Sequence, residues 1–186
     1  MHPFHSVNGP YLEKTHLINP KSCYKHGNIW GMDSILGMTI TTLDCWEEFQ
    51  ISNVYGSYLS RIPLWDSLLN SHLLIGDSVI LGRDLNFSLG QTEVWGPSAW
   101  ADILPDFFSQ KLAAKNLIDL EPVKLKRTWN NNRFGEDRVA KRLEQFLVAE
   151  HLVERLFNIR QWIGSGGMSD HFPIFFGDHE RPRQAL

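Results

Sequence analysis

The chain has 186 residues, a length that favours one domain over two. With 42% hydrophobic and 21% charged residues it has the composition of an ordinary globular chain with a real core, which excludes a disordered or fibrous one. A formal charge of −3 excludes a polybasic arm that grips nucleic acid by charge alone.

Two cysteines, Cys23 and Cys45, cannot make a disulfide scaffold and suit a reducing compartment. No apolar run reaches membrane-spanning length, and the opening Met1-His2-Pro3-Phe4-His5 lacks the apolar stretch of a signal peptide. The expectation is an intracellular chain.

Residues 1–27 carry His2, His5, His16 and His26 without a clear period, and nothing in them reads as a folded unit. The folded domain is expected over 28–177, with a tail over 178–186. Phe49, Ile51 and Val54 read as a strand that ends at the turn Tyr55-Gly56-Ser57. Ile62, Trp65, Leu68, Leu69 and Leu73 follow helical spacing, with Pro63 tolerated in the first turn. Val79-Ile80-Leu81-Gly82 is a short buried strand. Leu104, Phe107, Phe108, Lys111 and Leu112 predict a second helix that opens at Pro105. Residues 117–120 and 142–148 read as strands, 150–156 as a short helix and 172–176 as a last strand. Strands and helices alternating in this way predict an α/β domain.

Charge is uneven along the chain. Between Lys124 and Arg142 seven basic residues stand against Glu136 and Asp137, a local +5. With Trp129 and Phe134 in the same segment, Lys124, Lys126, Arg127, Trp129 and Asn131 are candidates for phosphate contact and base stacking. On charge alone, a solvated loop between two core strands accounts for it more simply.

Three constellations can carry chemistry. In Gly82-Arg83-Asp84-Leu85-Asn86, Asp84 and Asn86 lie two apart after an apolar strand, which predicts that they share a face at its carboxyl end. There a carboxylate can position or deprotonate water while an amide donates to a phosphoryl oxygen. Alone, Asp-x-Asn after a strand is an ordinary turn. Ser169-Asp170-His171-Phe172-Pro173-Ile174, after Gly164-Ser165-Gly166-Gly167, sets a metal-binding or water-orienting carboxylate beside an imidazole. In Arg142-Leu143-Glu144-Gln145-Phe146, alternation directs Glu144 to one side, where a carboxylate can hold a histidine's ring and tautomer. In isolation the last two are more simply a surface turn and an exposed strand acid.

Their order changes the balance. Asn53-Val54-Tyr55-Gly56, then Gly82 to Ser88, Thr128-Trp129-Asn130-Asn131, the strand 142–148 and Ser169 to Ile174 form a series. That series resembles the endonuclease/exonuclease/phosphatase superfamily, most closely the endonuclease domain of plant LINE-type (non-LTR) retrotransposons. The resemblance covers residues 28–177. It implies an α/β fold of DNase I type, a four-layer α/β/β/α sandwich that is N-terminally incomplete here. It also implies metal-dependent phosphodiester hydrolysis, with Mg2+ or Mn2+, on the backbone of DNA; LINE members nick DNA so that reverse transcription can begin. A monomer in the nucleus is the corresponding expectation.

By the same resemblance, Asp84 matches the acid that orients or deprotonates the attacking water, and Asn86 the amide that steadies the transition-state phosphate. His171 matches the phosphate-contacting histidine, and Asp170 the acid beside it that assists metal binding. Tyr55 matches an active-site tyrosine, and Glu144 stands where an aspartate orients the histidine.

Four departures stand beside these matches. The family's early Asn strand and Gln-Glu-Thr motif, whose glutamate is the principal metal ligand, are not found; Glu13 is only a superficial echo. Arg83 replaces a usual glycine, Gln145 a usual arginine and Glu144 an aspartate. One added methylene moves a carboxylate by about an ångström, enough to cost ~100-fold in a tuned site. The expected activity is therefore an impaired phosphodiesterase with weak or absent metal binding. The alternatives are a non-catalytic retroelement remnant that binds nucleic acid and, less economically, a zinc module on Cys23, His26 and Cys45, for which no fourth ligand is evident.

Overall fold

The computed structural model describes residues 24–178, apart from 33, 43–46, 57–58, 75, 98–101, 103, 157 and 167–168. Residues 1–23 with Glu13 and Cys23, and Cys45 and the tail from 179, lie outside the described residues, so the zinc arrangement and the N-terminal echo do too.

Strands β1 (Tyr24–Met32) and β2 (Ile35–Thr42) form an antiparallel hairpin. β1 begins ahead of Asn28, inside the stretch where the sequence shows no unit. Gly27, Gly31 and Gly37 interrupt the alternation, and glycine weakens a strand signal. Pairing explains one of them. Gly37 faces Trp30 across the hairpin, and the indole occupies the place a β-carbon would take.

β3 (Glu48–Tyr55) lies antiparallel to β2, and α1 (Arg61–Asn70) carries the chain back so that β4 (Val79–Asp84) runs parallel to β3. The expected helix is present with Trp65, Leu68 and Leu69 inward, whereas Ile62 is 45% exposed. β5 (Val94–Trp95), α2 (Pro105–Ala113) and β6 (Leu117–Asp119) follow. Then come β7 (Trp129–Asn130), β8 (Ala140–Lys141), β9 (Glu144–Ala149) and α3 (Glu150–Arg155). β10 (Ile159–Ile163) and β11 (Ile174–Asp178) complete the described chain.

The central sheet has six strands in the order β1-β2-β3-β4-β9-β6. β5-β8-β7 form a small sheet and β10-β11 a pair. Alternation along β4 sorts the two faces of the central sheet. Arg83 points to α1 and α2, its guanidinium 5.6 Å from the Trp65 ring and 5.9 Å from Phe108. On the other face Phe146, opposite Gly82, packs on Phe176 of β11 with ring centroids 5.4 Å apart. Trp65, Leu69, Leu81, Phe108 and Leu147 have no exposed surface, and each such side chain contributes about 1.5–3 kcal/mol. The architecture is mixed α/β on a central multi-stranded sheet, as the alternating pattern predicts.

β10 escapes sequence reading because Gln161 holds an inward position that alternation reserves for an apolar residue. It is fully buried, and its side-chain oxygen accepts the Phe146 amide hydrogen at 3.0 Å. The strand expected over 142–148 starts at Glu144, because the Arg142 amide hydrogen goes to the Glu93 carbonyl at 3.0 Å instead of to a strand neighbour. No helix among the described residues is long and apolar enough to cross a membrane.

Candidate active site

Register places three of the expected residues in one row. Tyr55 ends β3 beside Asp84, which ends β4, and Asp84 faces Glu144 at the start of β9. Glu144 and Asp84 thus lie on the same face of the sheet, opposite Arg83 and Gln145. His171 reaches this edge from the segment before β11. The Phe172 amide hydrogen goes to the Thr128 carbonyl at 2.7 Å, the Asn130 amide hydrogen goes to the Asp170 carbonyl at 3.1 Å, and Trp129 bridges to His171.

Donor atoms of Asp84, Glu144 and His171 all lie within 4.8 Å of one another. His171 Nδ1 contacts Glu144 Oε1, the pairing that the carried-over histidine and acid require. Glu144 Oε2 is buried and has no hydrogen-bond partner among the described residues. An orphaned carboxylate oxygen beside a second carboxylate and an imidazole fits a small divalent cation. Mg2+ and Mn2+ favour oxygen donors, and Mg2+ binds through one or two carboxylates plus water. The Asp84 carboxylate and Glu144 Oε2 are the groups that would hold such an ion, with the His171 imidazole turned to Glu144 through Nδ1.

Asn86 is placed differently from the strand expectation. β4 ends at Asp84, and Asn86 sits in a left-handed turn at φ +57° rather than two steps along a strand. Its amide hydrogen is accepted by Asp84 Oδ1 at 2.9 Å, an Asx turn that asparagine tolerates, and its side-chain amide donates to the Gly56 carbonyl. Gly56 makes this approach feasible: a β-carbon there would lie 2.6 Å from the Asp84 carbonyl oxygen. Asp84 and Asn86 remain neighbours, held by a turn rather than by pleat geometry.

Asp170 stands outside the convergent set, and its Oδ2 accepts the Trp129 indole hydrogen at 3.0 Å. That bond also engages Trp129. Asn131 is turned into its own loop, donating to the Asp137 carbonyl at 2.7 Å and accepting from the Val139 amide at 3.1 Å. Lys124, Lys126 and Arg127 are exposed, and Lys126 and Arg127 line a separate cleft of about 860 Å3. Phe134 is 92% exposed.

Sequence reasoning missed the residues that set the geometry from behind. Thr128 is buried and joins the two segments that carry Glu144 and His171. Arg142, 1% exposed, binds both Asp119 oxygens at 2.7 and 2.8 Å and Glu93 at 2.5 Å. Burial alone would lower its guanidinium, but the hydrogen bonds and charges of Asp119 and Glu93 hold it above the ordinary arginine value. Arg83 donates to Gln145 Oε1 at 2.8 Å and meets no carboxylate among the described residues, and burial pushes it down to about 9. The one available signal was that the charge-rich segment 124–142 closes on Arg142, immediately before Glu144.

Together, this sheet order and the cleft at its edge define a DNase I-like α/β fold, the fold of endonuclease/exonuclease/phosphatase proteins. Among solved structures the chain is similar to the endonuclease domain of TRAS1, a telomere-specific non-LTR retrotransposon, with a TM-score of 0.56 and 18% identity. That match covers 88% of this chain and 72% of that one. A mannosyl-6-phosphatase of Bacteroides thetaiotaomicron VPI-5482 follows at TM-score 0.50 and 17% identity, covering 83% of this chain and 66% of the other. TDP2 of D. rerio, solved with a single-strand DNA product, gives 0.50 at 12% identity, covering 81% and 66%. The chain therefore spans about two-thirds of the length of these proteins. No protein-family model matches it, and no curated protein does.

Proposed function

We propose that this domain is a metal-dependent phosphodiester hydrolase of DNA-nicking type, with catalytic power reduced by the lack of the resembled family's principal metal-ligand glutamate motif. The convergence of Asp84, Glu144 and His171 donor atoms within 4.8 Å carries this reading. A divalent cation, Mg2+ or Mn2+, would supply charge neutralisation at the phosphoryl group. Asp84 orients the attacking water and takes its proton as the new P–O bond forms. The Asn86 side-chain amide keeps one N–H on the Gly56 carbonyl and donates its second to a phosphoryl oxygen, and His171, with Nδ1 turned to Glu144, offers Nε2 to the phosphate. The Tyr55 phenol flanks the same edge. The old P–O bond breaks, and its oxygen leaves with a proton taken from solvent water while Asp84 returns its own proton to solvent. Asp170 steadies the His171 segment through Trp129 and contributes to metal binding only at one remove.

The domain acts as a nuclear monomer on the DNA backbone in this reading. A plasmid-nicking assay in Mg2+ or Mn2+ tests it. Slow nicking is expected, lost in both Asp84→Ala and His171→Ala. Nicking that survives both substitutions rejects the site. No nicking at all, with salt-sensitive DNA binding retained, favours the non-catalytic remnant.

A further inference from the structure

We propose that the larger cleft beside the active site binds an unpaired stretch of nucleic acid, so that the favoured substrate carries single-stranded character at the cut. This rests on the phosphodiesterase reading above. The cleft encloses about 860 Å3, within the size range of sites that enclose small ligands (~300–1,000 Å3), and takes a nucleotide or two. Trp95, Ile163 and Phe172 form apolar and aromatic walls, while Lys126, Arg127 and Arg138 supply cations. Among the described residues no carboxylate lines it. The guanidinium of Arg127 lies 5.6 Å from the Phe172 ring, which holds cation and aromatic surface together. Phe172 also lines the cleft of Asp84, Glu144 and His171, so the two spaces share a wall.

This pairing of surfaces selects its ligand. Phosphates need the cations, but a duplex keeps its base faces covered by stacked neighbours and presents nothing to the aromatic walls. An unpaired base exposes a face, and stacking on an aromatic side chain is sequence-tolerant. A strand leading from the scissile phosphate across Phe172 would enter the cleft directly.

The test is fluorescence anisotropy with a 5′-fluorescein oligothymidylate of about a dozen nucleotides, a length within known single-strand site sizes. The comparison is a blunt duplex of equal length, and EDTA is present so that neither is cut. The single strand is expected to bind about tenfold more tightly. Trp95→Ala should weaken that binding about tenfold and leave its salt dependence alone. The exposed Arg138→Gln should reduce the slope of log affinity against log salt by about 0.7. Duplex binding as tight as single-strand binding overturns the proposal. So does a folded Trp95→Ala, checked by near-ultraviolet circular dichroism, that binds like the parent. Should that variant not fold, an unchanged salt slope in Arg138→Gln overturns it. Plasmid nicking is scored separately: its absence with tight single-strand binding rejects the catalytic reading and leaves the cleft intact.

Discussion

Thr128 Oγ1 accepts the amide hydrogen of Glu144 at 3.0 Å, and that of Leu143 at 2.8 Å, from a side chain with no exposed surface. The same residue's carbonyl accepts from Phe172 at 2.7 Å. One side chain therefore fixes the backbone under Glu144 while its own main chain holds the segment of His171. Thr128→Val keeps the shape but leaves two buried N–H groups unpaired, each costing about 1–3 kcal/mol. Urea denaturation should show a loss of roughly 2 kcal/mol or more, with Thr128→Ser recovering most of it. A valine variant as stable as the parent would mean that these two bonds contribute nothing.

The donor set makes a prediction independent of activity. A weak site with a dissociation constant of about 1 mM would stabilise the fold by roughly 1.4 kcal/mol in 10 mM Mn2+, a melting shift of a few degrees. Asp84→Asn and Glu144→Gln should each remove most of that shift, whereas Asp170→Asn should leave much of it, because its carboxylate faces Trp129. A shift lost only with Asp170 would transfer the metal site to that residue.

Arg142 predicts a large stability effect away from the cleft. With both Asp119 oxygens and Glu93 bound to a guanidinium that is 1% exposed, removing one partner strands a buried charge. Asp119→Ala should cost about 3 kcal/mol in denaturant unfolding, the low end for a broken buried pair because Glu93 remains. An effect below about 1 kcal/mol would show that water reaches the site freely.

Arg83 predicts a pH dependence of the opposite kind. Burial pushes its guanidinium from the ordinary arginine value down to about 9, so the folded chain gives up this proton before the unfolded chain does. The cost of the buried charge is fully present below pH 9 and is relieved as pH rises from about 9 towards the range in which the unfolded chain's arginine titrates. Arg83→Met should therefore be more stable than the parent at pH 8, with the gap narrowing by pH 10.5. Parallel denaturation curves settle this; a gap that widens with pH contradicts it.

The elements legible in the sequence are those with an unbroken period: α1, α2 and β4, whose apolar residues recur at helical or strand spacing. β1, β2 and β10 were illegible because glycine or a buried glutamine occupies positions that patterning reads as polar or broken. The partner that explains each one lies on another strand. Only Trp30 explains Gly37, and only the Phe146 backbone explains Gln161.

The order of motifs by itself determined the fold class and named Asp84, Asn86, Glu144 and His171 as candidates, since each belongs to a local strand-end or turn pattern. Alternation along β4 likewise suffices to put Arg83 on the face away from Asp84, because the pleat alternates wherever a strand is regular. Tertiary structure alone decided which donors converge. Strand register set Asp84 against Glu144, and Thr128 brought His171 to meet them. It also gave the Asp170 carboxylate to Trp129 and Asn131 to its own loop, because side-chain direction outside regular structure follows no period and is set by whichever hydrogen-bond partner the folded chain brings near.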